Sequence, residues 1–313
     1  MADTEAPGAA KRHPDGREMA EEFDPARYDQ GTRMKFLEAK VAYLLDEVSG
    51  LRTLVRHLVS ERAEHMPVAG QTRASFNYQW KSLPEGHAML SNAEFRERVP
   101  KQMCEFADLP PEWFRGKKVM DAGCGQGRWT YGLGKLGVEK CVSFDISEAG
   151  VARTTKIARE FGDRMEVHRK NILEPLGFPA DFDLVWCFGV LHHTGKTYVG
   201  FQNLVQCVKP GGYLFVMIYG EPRPGYPADY GYYHEMFEMR SRLRNLPFEE
   251  KVAAIEGRYG KELLHGYFDA ISPDINDLYR WDELVSWFVA AGFTDIKRTD
   301  PGTNHHIVAR RKE

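Results

Sequence analysis

The sequence predicts an α/β fold: a seven-stranded, mostly parallel sheet with helices on both faces, preceded by a long N-terminal helix and carrying a lid insertion after the fifth strand. Three observations carry this expectation. Short apolar runs alternate with helix-like segments between residues 117 and 219, the order that builds a parallel sheet with crossovers on both faces. The first run, KKVMDAGCGQGRWT at 117–130, stops in a turn with glycines at alternate positions and feeds a helix, so a ligand can lie against bare backbone. Ahead of both, Met34, Leu37, Val41, Leu44, Val48, Leu51, Val55 and Leu58 recur at steps of three and four, which is a heptad seam.

The chain of 313 residues exceeds one typical domain, and its composition divides it. Residues 1–32 are rich in Ala, Gly, Pro and charge and predict a disordered tail, because they bury too little apolar surface to offset ordering entropy. Residues 33–65 hold the seam, with Met or Val at a, Leu at d, and Glu47 and Arg52 placed to pair across it; this predicts a homo-oligomer of two or more chains through 34–58. Leu45, Leu54 and Val59 widen the stripe, leaving open a higher oligomer or a helix packed on its own core. Residues 66–115 are read as a cap on the core. Within it Phe76, Tyr78 and Trp80 are read as core aromatics, ligand contact being the alternative, and a helix is expected from Ser91 with Glu94 as capping-box partner.

In the core, 116–313, strands are expected at 117–121, 140–145, 165–169, 183–188 and 213–219, with helices from about 127 and 147 and over 197–207. Ser147 supplies an N-cap. A lid insertion is expected at about 221–280, bearing Tyr226, Tyr230, Tyr232, Tyr233 and Phe237. Beyond it a helix at 281–291 stops at Gly292, and an antiparallel pair at 294–298 and 306–310 closes the sheet.

Net charge of −3 argues against a general nucleic-acid partner, which needs a basic surface. Five cysteines without a C-x-x-C pair read as reduced thiols. No apolar run reaches the roughly 18 residues of a membrane span and no signal-peptide pattern opens the chain, so cytoplasmic residence without membrane contact is the expectation.

The spacing D-x-G-x-G-x-G, with Asp121, Gly123, Gly125 and Gly127, departs from a dinucleotide fingerprint, since Arg128 stands at its last glycine and Asp121 would repel a pyrophosphate. Asp145 ends the second strand, VLHH follows the fourth, and a Pro-Gly-Gly turn precedes the fifth. In that order these motifs resemble the class I, Rossmann-like S-adenosylmethionine (SAM) methyltransferases, densely over 115–218 and more loosely beyond.

The resemblance implies SAM as cofactor, S-adenosylhomocysteine as product, and roles for single residues. Gly123, Gly125 and Gly127 would admit the methionine portion and sugar, Asp121 would support the turn or the amino group, and Asp145 would accept both ribose hydroxyls. Ile146 would pack on adenine, Ile172 would offer a backbone amide beside it, and the Phe188 carbonyl would meet the methionine amino group. Asn171 stands where the family usually has an aspartate; its amide oxygen accepts the same hydrogen bond from the adenine amino group.

Methyl transfer is an in-line displacement, so much of it is alignment, and a hydroxyl acceptor also needs a general base. His193 is the first choice and His192 the second; Tyr230, Tyr232, His234, His265 and Asp269 of the lid are the acceptor-contact candidates. No metal is expected, because H-E-x-x-H, Cys/His ligand spacing and an acidic cluster are all lacking. The expected function is O-methylation of a small molecule, a sugar or sugar-bearing metabolite being the class the lid aromatics suggest. The alternatives are N-methylation of a small-molecule amine and a non-catalytic coiled-coil scaffold. Adenine methylation is disfavoured because no N-P-P-Y/F sequence follows Phe188, and aminopropyl transfer because LHH replaces the acids expected after the fourth strand.

Overall fold

β1 (Lys118–Ala122) lies in the interior of a sheet whose order is β3-β2-β1-β4-β5-β7-β6. Around it stand β2 (Lys140–Asp145), β3 (Met165–Arg169), β4 (Phe182–Phe188), β5 (Val208–Ile218), β6 (Phe293–Arg298) and β7 (His305–Arg311). The computed structural model describes residues 67–83 and 92–313. The predicted tail, the heptad run at 34–58 and Ser91 lie outside the described residues.

β1 pairs in parallel with both β2 and β4, so strand order reverses there and a crevice opens at the carboxyl ends of those strands. β4 is buried along its length apart from Phe188 at its end, as expected for a strand covered on both faces. β7 runs antiparallel between β5 and β6. Burial explains that order: β7 is buried over its first five residues, whereas β6 alternates like an edge strand. The Pro210-Gly211-Gly212 turn expected ahead of β5 is instead a bulge inside it, where the register jumps from Phe182↔Val208 to Leu184↔Tyr213.

Two apolar layers flank the sheet. One packs Val99 and Met103 of α2 (Ala93–Ala107) and Trp129 and Leu133 of α3 (Arg128–Leu136) on Val119 and Trp186. The other joins Phe201 of α5 (Thr197–Val205) and Phe288 of α9 (Trp281–Ala290) to Val185 and Val216. α4 (Glu148–Ala158) starts at Ser147, whose hydroxyl accepts from Gly150 N. α2 is capped by Asn92, which accepts from Phe95 N at 2.9 Å, so its cap falls one residue past the expected Ser91.

The lid is three helices, α6 (Pro227–Leu243), α7 (Phe248–Tyr259) and α8 (Leu264–Ile271). They share a core of Met236, Met239, Ile255 and Phe268, joined by Tyr78 of α1 (Pro67–Ser82). α1 crosses between lid and sheet on polar side chains. Gln71 donates to Ser272 O at 2.9 Å and accepts from Asp274 N at 2.7 Å; Gln79 donates to His265 O at 3.1 Å; Asn77 accepts from Ser147 Oγ at 3.2 Å.

Candidate active site

The turn after β1 is held by the acid that ends β2. Asp145 Oδ2 accepts from Gly125 N at 2.9 Å and Oδ1 from Ser147 N at 2.7 Å, leaving each oxygen a further acceptor site. Burial pushes its carboxyl up, against the pull of those N–H groups. Gly125 has φ 51°, and a Cβ there would lie 3.1 Å from the Trp80 ring, across the space a ligand would enter. Gly123 meets a different constraint: with φ 77°, its Cβ would strike Val190 Cγ2 at 2.3 Å. That glycine is required by packing as well as by approach of a ligand.

Asp121 lies behind the turn and does not line the crevice. Thr130 Oγ1 donates to its Oδ2 at 2.6 Å and meets Ser143 Oγ at 2.8 Å, while Oδ1 is buried with no partner. Burial pushes this carboxyl up to about 7. Gly127 is likewise off the wall, at the N-cap of α3 with φ 90°.

The crevice is a cavity of about 390 Å³. It gathers Gly123, Gly125, Asp145, Ile146, Asn171, Ile172 and Phe188 of the expected cofactor residues, with His193, His265 and Asp269 of the expected catalytic and acceptor residues. Asn171 is partly committed, since its amide donates to Glu174 Oε1 at 3.1 Å and its oxygen accepts from Leu173 N at 3.1 Å. Phe76 and Trp80 of α1 also line the cavity, so two of the three cap aromatics face it, and only Tyr78 packs in the lid core. An acid at a strand end, apolar walls at Ile146 and Ile172, and a glycine backbone bordering open space fit an adenosine-bearing ligand.

At the lid end, His193 Nδ1 lies 2.9 Å from Ile275 O, so in the neutral ring Nδ1 carries the proton and Nε2 keeps its lone pair. Nε2 makes no hydrogen bond and sits 3.7 Å from Asp269 Oδ2. Asp269 also accepts from Tyr219 OH at 2.6 Å. Burial pushes the Asp269 carboxyl up, but the charge of a protonated His193 and the Tyr219 hydroxyl outweigh it and hold the group below its ordinary value. His192, the second choice for a base, is corrected by the structure: it is fully buried, stacks on Tyr219 at 3.9 Å, and makes no hydrogen bond through either ring nitrogen. Burial drives its pKa well down, and it does not line the cavity.

Three lid candidates are not brought to this site. Tyr230 and His234 are exposed and line neither cavity, because one stripe of α6 (Tyr233, Met236, Met239) is used to pack on the lid and sheet. Tyr232 lines a separate cavity beyond α8. Tyr219 was missed; it reads in the sequence only as the end of a strand, and no local pattern marks its contact with a residue 50 positions away. Among the described residues no group of three or more His, Cys, Asp or Glu is placed to hold a metal ion, and no helix is long and apolar enough to cross a membrane.

Comparison with known proteins places relatives beside this geometry. A family model described as a methyltransferase domain matches residues 95–298. The ubiquinone biosynthesis O-methyltransferase of Dechloromonas aromatica is 33% identical over 179 residues, 55% of this chain and 64% of that protein. The tRNA U34 carboxymethyltransferase of Methylococcus capsulatus is 28% identical over 158 residues, 46% of each. The chain thus spans about half to under two thirds of the length of these curated relatives. Among solved structures, the 1,6-didemethyltoxoflavin-N1-methyltransferase of Burkholderia thailandensis, with S-adenosylhomocysteine bound, aligns with a TM-score of 0.48 at 18% identity, covering 78% of this chain and 89% of that one.

Proposed function

The chain belongs to the SAM-dependent methyltransferases, and from that premise we propose that it methylates a hydroxyl of a small molecule, with His193 as general base. Bound in the cavity, SAM supplies a methyl group on a sulfonium, whose C–S bond breaks as the O–C bond forms and leaves S-adenosylhomocysteine. Asp145 is the acceptor for the ribose hydroxyls, and Ile146 and Ile172 form the apolar wall for the adenine. Phe76 and Trp80 exclude water from the side away from the sheet.

The observation that carries the reading is the 2.9 Å contact of His193 Nδ1 with Ile275 O. With Nδ1–H donated to Ile275 O, Nε2 is the basic nitrogen, buried 3.7 Å from Asp269 Oδ2 in a residue that lines the cavity. The acceptor hydroxyl gives its proton to Nε2, and Asp269 stabilises the imidazolium that forms. An amine acceptor arriving neutral would need no such base, which is why the hydroxyl reading is preferred.

The test is a mass-spectrometric screen of small-molecule hydroxyl and amine acceptors with SAM, followed by kinetics on the acceptor found. His193→Ala should lower turnover by roughly 10²- to 10⁴-fold and leave SAM affinity nearly unchanged. An amine product, formed at the same rate by parent and variant, would replace this reading with N-methylation. Sugar-bearing molecules and phenols both belong in the screen.

A further inference from the structure

A second cavity, of about 430 Å³, lies on the other side of α8. Its walls are aromatic, with Tyr219, Tyr232, Tyr233 and Tyr267 among them. At its rim Leu263, Phe237 and Tyr232 are 56%, 53% and 42% exposed. Large apolar side chains gathered around a concavity, and left in water there, are the mark of a surface that receives apolar material.

Its polar atoms narrow the chemistry. Asn276 donates through Nδ2 to Ala270 O at 2.8 Å, which leaves its Oδ1 buried with no donor. A buried carbonyl oxygen in that state is satisfied only by an incoming O–H or N–H. Arg240, also on the wall, donates to Ala270 O at 2.8 Å and Asp274 O at 3.1 Å, so its guanidinium is committed to backbone. Glu262 adds a carboxylate to the wall, and together these features fit a ring-bearing group that carries a hydrogen-bond donor.

One residue of α8 borders both cavities. Gly266 lines both. It lies in the first turn of α8, is exposed, and a Cβ there would meet nothing within 4 Å. A ligand lying over this face of α8 would therefore meet no side chain at Gly266. On the same turn of α8, Asp269 faces the first cavity and accepts from Tyr219, which lines the second.

We propose that the second cavity is the subsite for the body of the methyl acceptor. The reacting hydroxyl sits by His193, the molecule passes Gly266, and a second ring lies among the tyrosines with its donor on Asn276 Oδ1. This rests on the reading of the first cavity as the methyl-transfer site and extends it to a substrate class: a two-part acceptor with an aromatic or similarly flat apolar body.

The test is calorimetric and needs no turnover. The full chain, saturated with S-adenosylhomocysteine, is titrated with phenol and with bisphenols in which two hydroxyphenyl rings are joined by methylene linkers of increasing length. At a preferred linker length the bisphenol should bind at least about tenfold tighter than phenol, about 1.4 kcal/mol. Asn276→Leu should abolish that gain and leave the affinities for phenol and S-adenosylhomocysteine unchanged; Gly266→Phe should abolish it as well, with Gly266→Ala as the control for the helix. The proposal is overturned if no linker length surpasses phenol, or if the gain survives both substitutions. The S-adenosylhomocysteine titration reads the first cavity separately, so a missing bisphenol gain with that binding intact is a failure of the subsite alone.

Discussion

Asp121 is the residue whose chemistry departs furthest from its position in the motif. Its carboxyl is held up to about 7 by burial, whereas in the unfolded chain it titrates at its ordinary value, so between roughly pH 4 and 7 the folded state keeps a proton that the unfolded state has released. Its contribution to stability is therefore fully present at low pH and is lost as pH rises through 7. The loss is at most about 4 kcal/mol on the size of that shift. Asp121→Asn, which leaves an oxygen for Thr130, removes it: thermal melts of the ligand-free protein should show the variant gaining on the parent between pH 5 and pH 8. A constant difference across that range would contradict the assignment.

Among the elements, α1 has the role least visible beforehand. It ties the start of α4, through Asn77, to the segment after α8, through Gln71, and so spans the cavity it covers. Each of these hydrogen bonds is worth about 0.5–1.5 kcal/mol. Gln71→Ala combined with Gln79→Ala should accordingly raise the dissociation rate of S-adenosylhomocysteine by about tenfold in stopped-flow fluorescence, with Trp80 as the reporter; an unchanged rate would mean α1 does not gate the site. The strands were legible because apolar runs ending at Asp121, Asp145 and Phe188 place their carboxyl ends at one edge of a parallel sheet. Residues 66–115 read as a cap, but how α1 is held over the site was not legible, because its contacts come from Gln71, Ser75, Asn77 and Gln79, polar residues whose partners lie about 70 to 200 positions away. The burial of His192 was hidden for a related reason: adjacent histidines look alike until the short helical turn after β4 sends one to the cavity and the other against Tyr219.

At the scale of the whole molecule, the heptad run at 34–58 predicts association between copies, since an apolar stripe of that length is seldom left in water. Removing residues 1–65 should turn an oligomer into a monomer that still binds SAM, as read by light scattering; a full-length monomer would mean the stripe packs on its own chain. The central claim remains the cavity where β1, β2 and β4 end. Calorimetric titration with S-adenosylhomocysteine, run on the parent and on Asp145→Ala, tests it most directly. The account predicts one site per chain in the parent and at least about tenfold weaker binding in the variant, from loss of charge-assisted hydrogen bonds worth about 1.5–3 kcal/mol each. Equal dissociation constants in the two proteins, or no binding to the parent, would contradict it.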